Sequence, residues 1–128
     1  MNLRVMLPIN PLLQLTPLRT QRGVARLLEI IWHDARPLPI ESTDTRPDHV
    51  SLAEAKKAKR HKMHAGESWG QLYDQRWSRV TIPSGAGRWL HWDEQGEATL
   101  FVKGVPFYGF DVAHRYCELP AGVREVWV

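Results

Sequence analysis

From about residue 66 to the end of the chain, polar and apolar residues alternate in short runs. Side chains of a β-strand alternate between the two faces of a sheet, so this pattern predicts half-buried strands. Clusters of Pro, Gly, Ser and Glu separate the runs, as turns separate short strands. The runs contain Val80 and Ile82, Leu90 and Trp92, Leu100 and Val102, and Val126 and Val128. Four or five short strands at this spacing predict an antiparallel sandwich or barrel.

The N-terminal half has helical rather than strand periodicity. Thr16 is suited to a helix N-cap and Pro17 to the first helical position. The apolar residues that would share one helix face are Val24, Leu27, Leu28 and Ile31. This spacing predicts a helix over about residues 17–33.

A proline-containing segment follows this helix. Residues 34–50 contain three prolines among Ser, Thr and Asp, which predicts a loop or linker. Ser51 and Glu54 then form a capping-box pattern, which predicts a second, short helix over about residues 52–60.

Together these patterns predict a mainly β protein: one or two N-terminal α-helices followed by a partial antiparallel β-sandwich. We expect residues 1–62 to form the helical lead-in and residues 63–128 the sandwich portion. Four or five strands are few for two closed sheets. We therefore expect either that the sandwich portion is truncated at its C-terminus or that the helices cover its open face.

Composition excludes several classes of protein. A chain of 128 residues that is 43% hydrophobic and 24% charged has the make-up of one globular domain rather than a disordered tail. A single cysteine, Cys117, excludes an internal disulfide and a multi-thiolate zinc site. No apolar run reaches the ~20 residues of a membrane helix, and the N-terminus makes a poor signal peptide. We expect a cytoplasmic protein without a membrane partner.

Positive charge is concentrated in the first half of the chain. Residues 1–62 hold eleven Lys or Arg and six Asp or Glu, whereas residues 63–128 hold six and eight. A basic run predicts phosphate binding, and hence a nucleic-acid-binding protein, as one alternative function. Its cations are Lys56, Lys57, Lys59, Arg60 and Lys62. No aromatic residue interleaves with the run for base stacking, and a solvated helix end is the favoured interpretation.

Several polar pairs could contribute to chemistry. The pairs are Asp111 with His114, His61 with His64, and His91 with Asp93. None has a zinc-binding spacing, so hydrogen-bonded pairs at turns are expected and no metal site is predicted. Asp93, Glu94 and Glu97 surround one turn, where acids favour turn formation and solubility. We expect no active site here, and Cys117 should pack as a small apolar group.

Aromatic residues are dense in the second half. They are Trp69, Trp77, Trp89, Trp92, Phe101, Phe107, Tyr108 and Phe110. Because the strands alternate, at least one aromatic per strand can face outward. Outward aromatic rings indicate a bound sugar, a partner domain or another part of the same protein.

An ordered series of motifs resembles a known family. It runs from Gly66-Glu67-Ser68-Trp69-Gly70 through the strand ending in Trp92-Asp93 and the turn at Gly96-Glu97. It continues with a Gly-x-Pro hairpin at 104–106, a Gly-x-Asp-x-x-His-Arg segment at 109–115 and Leu-Pro-Ala-Gly at 119–122. The series is similar to the N-terminal accessory domain of the bacterial and cytosolic α-mannosidases of glycoside hydrolase family 38. It covers about half the chain closely.

The resemblance implies a galactose-binding or jelly-roll-like sandwich in a non-catalytic role. In that family a retaining, zinc-dependent catalytic domain lies downstream, and none of its metal or catalytic residues has a counterpart here. The implied partners are that catalytic domain, mannosides and a second copy of the chain; the chain itself is expected to hold no cofactor. A stand-alone carbohydrate-binding module remains an alternative. Residues that could contact sugar are Trp92, Asp93, Tyr108, Asp111 and His114, although core or interface packing is favoured for each.

Overall fold

The chain is represented by a computed structural model that describes residues 20–24, 26, 36–64, 66–94 and 96–128. It forms two compact units, Met1–Pro37 and Leu38–Val128. In the first unit, residues 20–24 and 26 are helical, and they fall inside the helix predicted over 17–33. The rest of that predicted helix lies outside the described residues.

The second unit is an antiparallel β-sandwich, and the predicted fold class is confirmed. The strands are β1 (Ile40–Thr43), β2 (Arg60–Lys62), β3 (Ser78–Thr81), β4 (Trp89–His91), β5 (Ala98–Val102), β6 (Val105–Phe110), β7 (Tyr116–Glu118) and β8 (Glu125–Trp127). One sheet has six strands in the order β2-β1-β3-β8-β5-β6, and the other pairs β4 with β7. All pairings are antiparallel.

The sheet contains two strands that the sequence patterns did not predict. Strand β1 lies in the segment expected to be a loop, and β2 lies at the end of the second predicted helix and continues beyond it. Each residue of β2 pairs with one of β1, and β1 pairs in turn with β3. The interpretation of 34–50 as wholly loop is therefore wrong at β1. Ladder pairing with distant segments outweighs local preference in such short runs. The six-stranded sheet thus begins N-terminal to residue 63.

The second predicted helix is present but shorter than expected. Helix α1 spans Leu52–Lys57 rather than 52–60. The predicted capping box is confirmed, since Ser51 and Glu54 bond each other's backbone N–H groups. The chain leaves the helix at Ala58, whose extended backbone directs it into β2.

The hydrophobic core lies between the two sheets. The alternating runs supply it as predicted: Val80, Leu90, Leu100 and Val126 are all 5% exposed or less. The other members of the cluster are Ile82, Trp92, Val102, Phe110, Cys117, Leu119, Val123 and Val128. Cys117 is packed in this cluster, as its sequence environment indicates.

The opposite face of the six-stranded sheet is covered in part by α1. Ala55 of the helix is fully buried. Trp77 donates its indole N–H to the carbonyl of Val50, 2.6 Å away, and its ring packs edge-on against Phe101 at 5.0 Å. Through these two contacts, Trp77 holds the segment before α1 against the sheet.

The predicted hairpin at Gly104 is confirmed. Strands β5 and β6 are joined by Lys103 and Gly104, with φ values of 52° and 80°. Two positive φ values in succession are typical of a type I′ turn, whose twist matches that of paired strands. Pro106 follows in β6, where its missing N–H is tolerated because β6 is the last strand of the sheet.

Leu100 offers a direct test of the core. Its side chain is fully buried at the centre of β5, so Leu100→Ala should lower the free energy of unfolding by about 3 kcal/mol through lost burial and a residual cavity. The exposed neighbour provides the control: Thr99→Ala should cost less than about 1 kcal/mol. Urea unfolding of both variants measures the difference, and equal losses would show that the described core is misplaced.

Candidate functional site

Two of the sugar-contact candidates lie in or against the core. Trp92 is 8% exposed, and its ring stacks against Phe110 with centroids 6.2 Å apart. Tyr108 packs edge-on against the same Phe110 at 5.2 Å and is half-buried. Phe110 therefore contacts both rings and joins them in one aromatic cluster. Packing accounts for both rings, and the face of Trp92 has little surface left for a ligand.

Asp111 and His114 form the hydrogen-bonded pair that their spacing indicated. The Asp111 carboxylate accepts hydrogen bonds from the backbone N–H groups of Ala113 and His114, each at 2.7 Å. It also lies 2.9 Å from His114 Nδ1. These contacts, led by the His114 side chain, lower the pKa of Asp111. The pair closes the loop between β6 and β7.

Asp93 is paired with the residue that follows His114. Arg115 Nη1 donates to the Asp93 carboxylate at 2.6 Å. The backbone N–H of Trp92 also donates to the Arg115 carbonyl at 2.8 Å. The structure therefore brings Asp93, Asp111 and His114 to one end of the sandwich, where β4 ends and β7 begins. Within the Gly-x-Asp-x-x-His-Arg segment, the polar residues order this end.

The outward face of the β4–β7 sheet contains an aromatic group that was not among the sugar-contact candidates. Trp89 is 65% exposed and lies opposite Glu118. The next pair of residues on the same face is His91 and Tyr116, whose rings stack with centroids 4.7 Å apart. We call Trp89, His91, Tyr116 and Glu118 the ribbon face. The signal was present in the sequence, because Trp89 and His91 alternate with the buried Leu90.

The charges around the ribbon face are paired. Arg88 lies 3.4 Å from Glu118 at one end, and Arg115 lies 2.6 Å from Asp93 at the other. Burial lowers the pKa of His91, with Asp93 opposing the shift and Arg115 adding to it. This favours a neutral imidazole near physiological pH. The ribbon face therefore combines exposed aromatic surface with balanced charge.

A second polar cluster is centred on Glu94, which the sequence suggested was only a turn residue. Its carboxylate accepts a hydrogen bond from the indole N–H of Trp69 and another from that of Trp92, the latter at 3.0 Å. Arg76 lies 3.4 Å from the same carboxylate, and its guanidinium stands 4.1 Å over the Trp69 ring. We call Trp69, Arg76, Trp92 and Glu94 the Glu94 cluster.

The Glu94 cluster is largely withdrawn from solvent. The side chain of Arg76 is 10% exposed and that of Glu94 is 25% exposed. Burial lowers the pKa of Arg76, and Glu94 opposes the shift. Indole donors and a stacked guanidinium satisfy the carboxylate. The cluster ties the segment around Trp69 to the sandwich and so acts as a structural element.

The basic run is divided between three local structures. Lys56 and Lys57 lie in the last turn of α1, and Lys59 follows it. The side chain of Arg60 reaches back to the end of α1, where its Nη1 donates to the carbonyls of Lys56 at 3.1 Å and Ala58 at 3.3 Å. Arg60 also covers the Trp127 ring at 5.4 Å and lies 3.7 Å from Glu41. Its guanidinium is therefore engaged in closing the helix end.

The described residues contain no group of three or more His, Cys, Asp or Glu that could hold a metal ion. Burial raises the pKa of the Cys117 thiol, which keeps it protonated. Within the same residues, no helix is long and apolar enough to span a bilayer.

The fold and these surfaces define a small jelly-roll β-sandwich whose polar groups mostly order its loops. A model of the α-mannosidase jelly-roll domain family matches residues 36–124. The chain belongs to that family. The match begins close to Leu38, where the sandwich unit begins, and the family that the motifs resembled is confirmed. A comparison with curated proteins found no matching relative.

The contribution of the Glu94 cluster to the free energy of unfolding can be tested by substitution. Glu94→Gln should lower the free energy of unfolding by about 2 kcal/mol, because the poorly exposed Arg76 loses its ionic partner. Glu97→Gln, at an exposed site in the same turn, should have little effect. Adding Arg76→Met to Glu94→Gln should cost less than the sum of the two single changes. Additive losses in denaturant unfolding would contradict the coupling.

Proposed function

We propose that this chain is a non-catalytic accessory domain that supports the catalytic domain of an α-mannosidase. The family match over 36–124 carries the proposal. The polar residues described above are engaged with one another, which supports an ordering role for them rather than a catalytic one. On this proposal zinc and the hydrolytic residues belong to the partner, and the domain works in a reducing, cytoplasmic setting.

The surface best suited to such a partner is the outer edge of the six-stranded sheet. Strand β6 is the last strand of that sheet, and two of its apolar residues point into solvent: Val105 is 63% exposed and Phe107 is 47% exposed. Val112, in the loop that follows, is 66% exposed. We call these three residues the β6 edge. Large exposed apolar side chains along one edge strand and the loop that follows it indicate an interaction surface.

The backbone of β6 discourages strand-to-strand pairing with another chain. Pro106 offers no N–H to a further strand. A bulge interrupts the register between Leu100 and Phe101, and it leaves Phe107 without an opposite residue on β5. Such irregular edges are protected against uncontrolled sheet extension. Side-chain packing is therefore the mode of contact that β6 supports.

The β6 edge can be tested against a catalytic domain of this family from which its own jelly-roll domain has been deleted. The double variant Val105→Ser with Phe107→Ser should weaken association about tenfold or more, since it removes apolar anchors from the contact. Biolayer interferometry with the full chain measures the dissociation constant. The chain alone, supplied with zinc, should not hydrolyse an aryl α-mannoside.

A matched control removes apolar surface elsewhere. Leu72 and Tyr73 are 82% and 84% exposed in a turn distant in sequence from β6. Leu72→Ser with Tyr73→Ser should leave association unchanged. Equal weakening by both double variants would show that the contact is non-specific. Self-association of the wild-type chain that disappears in the β6 variant would instead assign the edge to a second copy.

A second candidate function is carbohydrate binding on the ribbon face. The observation that favours it is the exposure of Trp89 beside hydrogen-bonding groups of balanced charge. Indole and pyranose rings each present an apolar face with polar groups around it, so they stack well. A neutral, hydroxyl-rich ligand also matches a surface whose charges are already paired.

Thermal unfolding discriminates this function from docking alone. If the ribbon face binds sugar, excess α-mannobiose should raise the unfolding midpoint of the full chain, because a ligand of the folded state stabilises it. Trp89→Ala should abolish the increase, and Tyr73→Ala should retain it as an exposed aromatic control. An unchanged midpoint in the wild-type chain would rule out α-mannobiose as a ligand of the ribbon face.

A further inference from the structure

A cleft of about 270 Å³ lies beside the covered face of the six-stranded sheet. Three elements surround it: the last turn of α1, the turn between β5 and β6, and the loop that leads into β8. Its lining residues are Lys56, Lys103, Gly104, Gly122, Val123, Arg124, Glu125 and Trp127. Three of the eight are cationic and one is acidic. We call this the cationic cleft.

Among the arginines of the sandwich, the one that lines the cleft differs from the others in lacking a carboxylate partner. Residues 38–128 contain seven arginines, and six of them lie within 4.0 Å of an Asp or Glu oxygen. Arg124 is the exception within the described part of the chain. Lys56 and Lys103 likewise form no ion pair there. The positive charge of the cleft is therefore available to a ligand.

The acidic residue of the cleft does not neutralise these cations. Glu125 accepts a hydrogen bond from the indole N–H of Trp127 at 2.9 Å. Its other carboxylate oxygen lies 3.8 Å from Arg79, which is outside the cleft lining. Glu125 is thus held by Trp127 and by Arg79, which Glu41 also contacts at 3.3 Å. With three cations and one carboxylate, the cleft keeps an excess of positive charge.

Lys103 occupies a backbone position that ordinary side chains avoid. Its φ of 52° is left-handed, and Asn, Asp or Gly is the usual residue at this place in a type I′ turn. Gly104 beside it has a φ of 80°, and a Cβ there would meet no atom within 4 Å, so the backbone is open on that side. The turn therefore places a lysine at the cleft at a conformational cost, which is a feature of functional positions.

We propose that the cationic cleft binds a tetrahedral oxyanion, the phosphate or sulfate group of a small ligand. Three uncompensated cations from three separate elements favour a dianion over a single carboxylate. The volume lies just below that of pockets for drug-sized molecules, so it suits the anionic group with a small body attached. This site shares no residue with the ribbon face or the β6 edge, although Gly104 of its lining directly precedes Val105 of that edge.

Amide-resolved NMR titration of the full chain tests the site. Inorganic phosphate should produce saturable shifts at the Gly104 and Gly122 amides and at the Trp127 indole, measured against chloride at equal ionic strength. A parallel titration with glucose 6-phosphate shows whether the cleft prefers a phosphate ester or the free phosphate ion. Tighter binding of the ester points to a phosphorylated small molecule, and equal or weaker binding points to the free anion.

Two charge-matched variants make the result specific. Lys103→Asn with Arg124→Gln keeps a residue that tolerates the left-handed turn, and it should weaken phosphate binding about tenfold or more through lost charge-assisted hydrogen bonds. Lys59→Gln with Lys62→Gln removes equal charge outside the cleft and should leave binding within a factor of about two. The dispersion of the same spectra reports whether each variant is folded. Equal shifts with chloride, or equal weakening by both variants, would overturn the proposal.

Discussion

The sandwich depends on the pairing of β8 between β3 and β5. On one side of β8 lie β3, β1 and β2, and on the other lie β5 and β6. The short strand is extended at its ends, since Val128 exchanges backbone hydrogen bonds with Ser78 at 2.7 and 2.9 Å. The N–H of Ile82 also bonds the Arg124 carbonyl at 2.8 Å. Without this ladder the large sheet would separate into the three strands β2-β1-β3 and the β5–β6 hairpin, and an isolated two-stranded hairpin is at best marginally stable.

Alternation along β8 also connects the core to the surfaces on the other side of the sheet. Val126 is fully buried between the sheets. Its neighbours Glu125 and Trp127 face the opposite way, where Trp127 packs beneath Arg60 and lines the cationic cleft. One three-residue strand therefore stabilises the interior and shapes a surface at the same time. Substitutions at Val126 therefore act on the core, whereas substitutions at Glu125 or Trp127 act on the opposite surface.

The sequence predicted the parts of the fold in which local pattern and burial agree. The runs around Val80, Leu90 and Leu100 are strands with those residues in the core, because alternation is a local signal of burial. Strand β1 lacked that signal: its inward-facing Ser42 is polar and is buried only because it bonds Ser78 at 2.8 Å. Such a pairing joins residues far apart in sequence, so no local window contains it.

For the candidate sites too, contacts between residues close in sequence were predicted and contacts between distant residues were not. Asp111 and His114 were correctly expected to bond each other, since three residues of spacing suffice to predict a turn. Glu94 was interpreted from its immediate neighbours, whereas its partners Trp69 and Arg76 come from a segment about twenty residues earlier in the chain. Trp89 was on the predicted outward face, but the density of aromatic residues gave no reason to prefer it over Trp92. Three-dimensional proximity and fractional exposure were the missing information.

The bulge in β6 divides the strand into an exposed half and a buried half. Beyond the bulge, Tyr108 and Phe110 pair with β5 in the register that packs the core; before it, Val105 and Pro106 pair in a shifted register. A change of register in a strand normally exchanges every inward and outward side chain. Because Phe107 absorbs the shift, the side chains of the exposed half of β6 can be changed while the buried half keeps the register that packs the core.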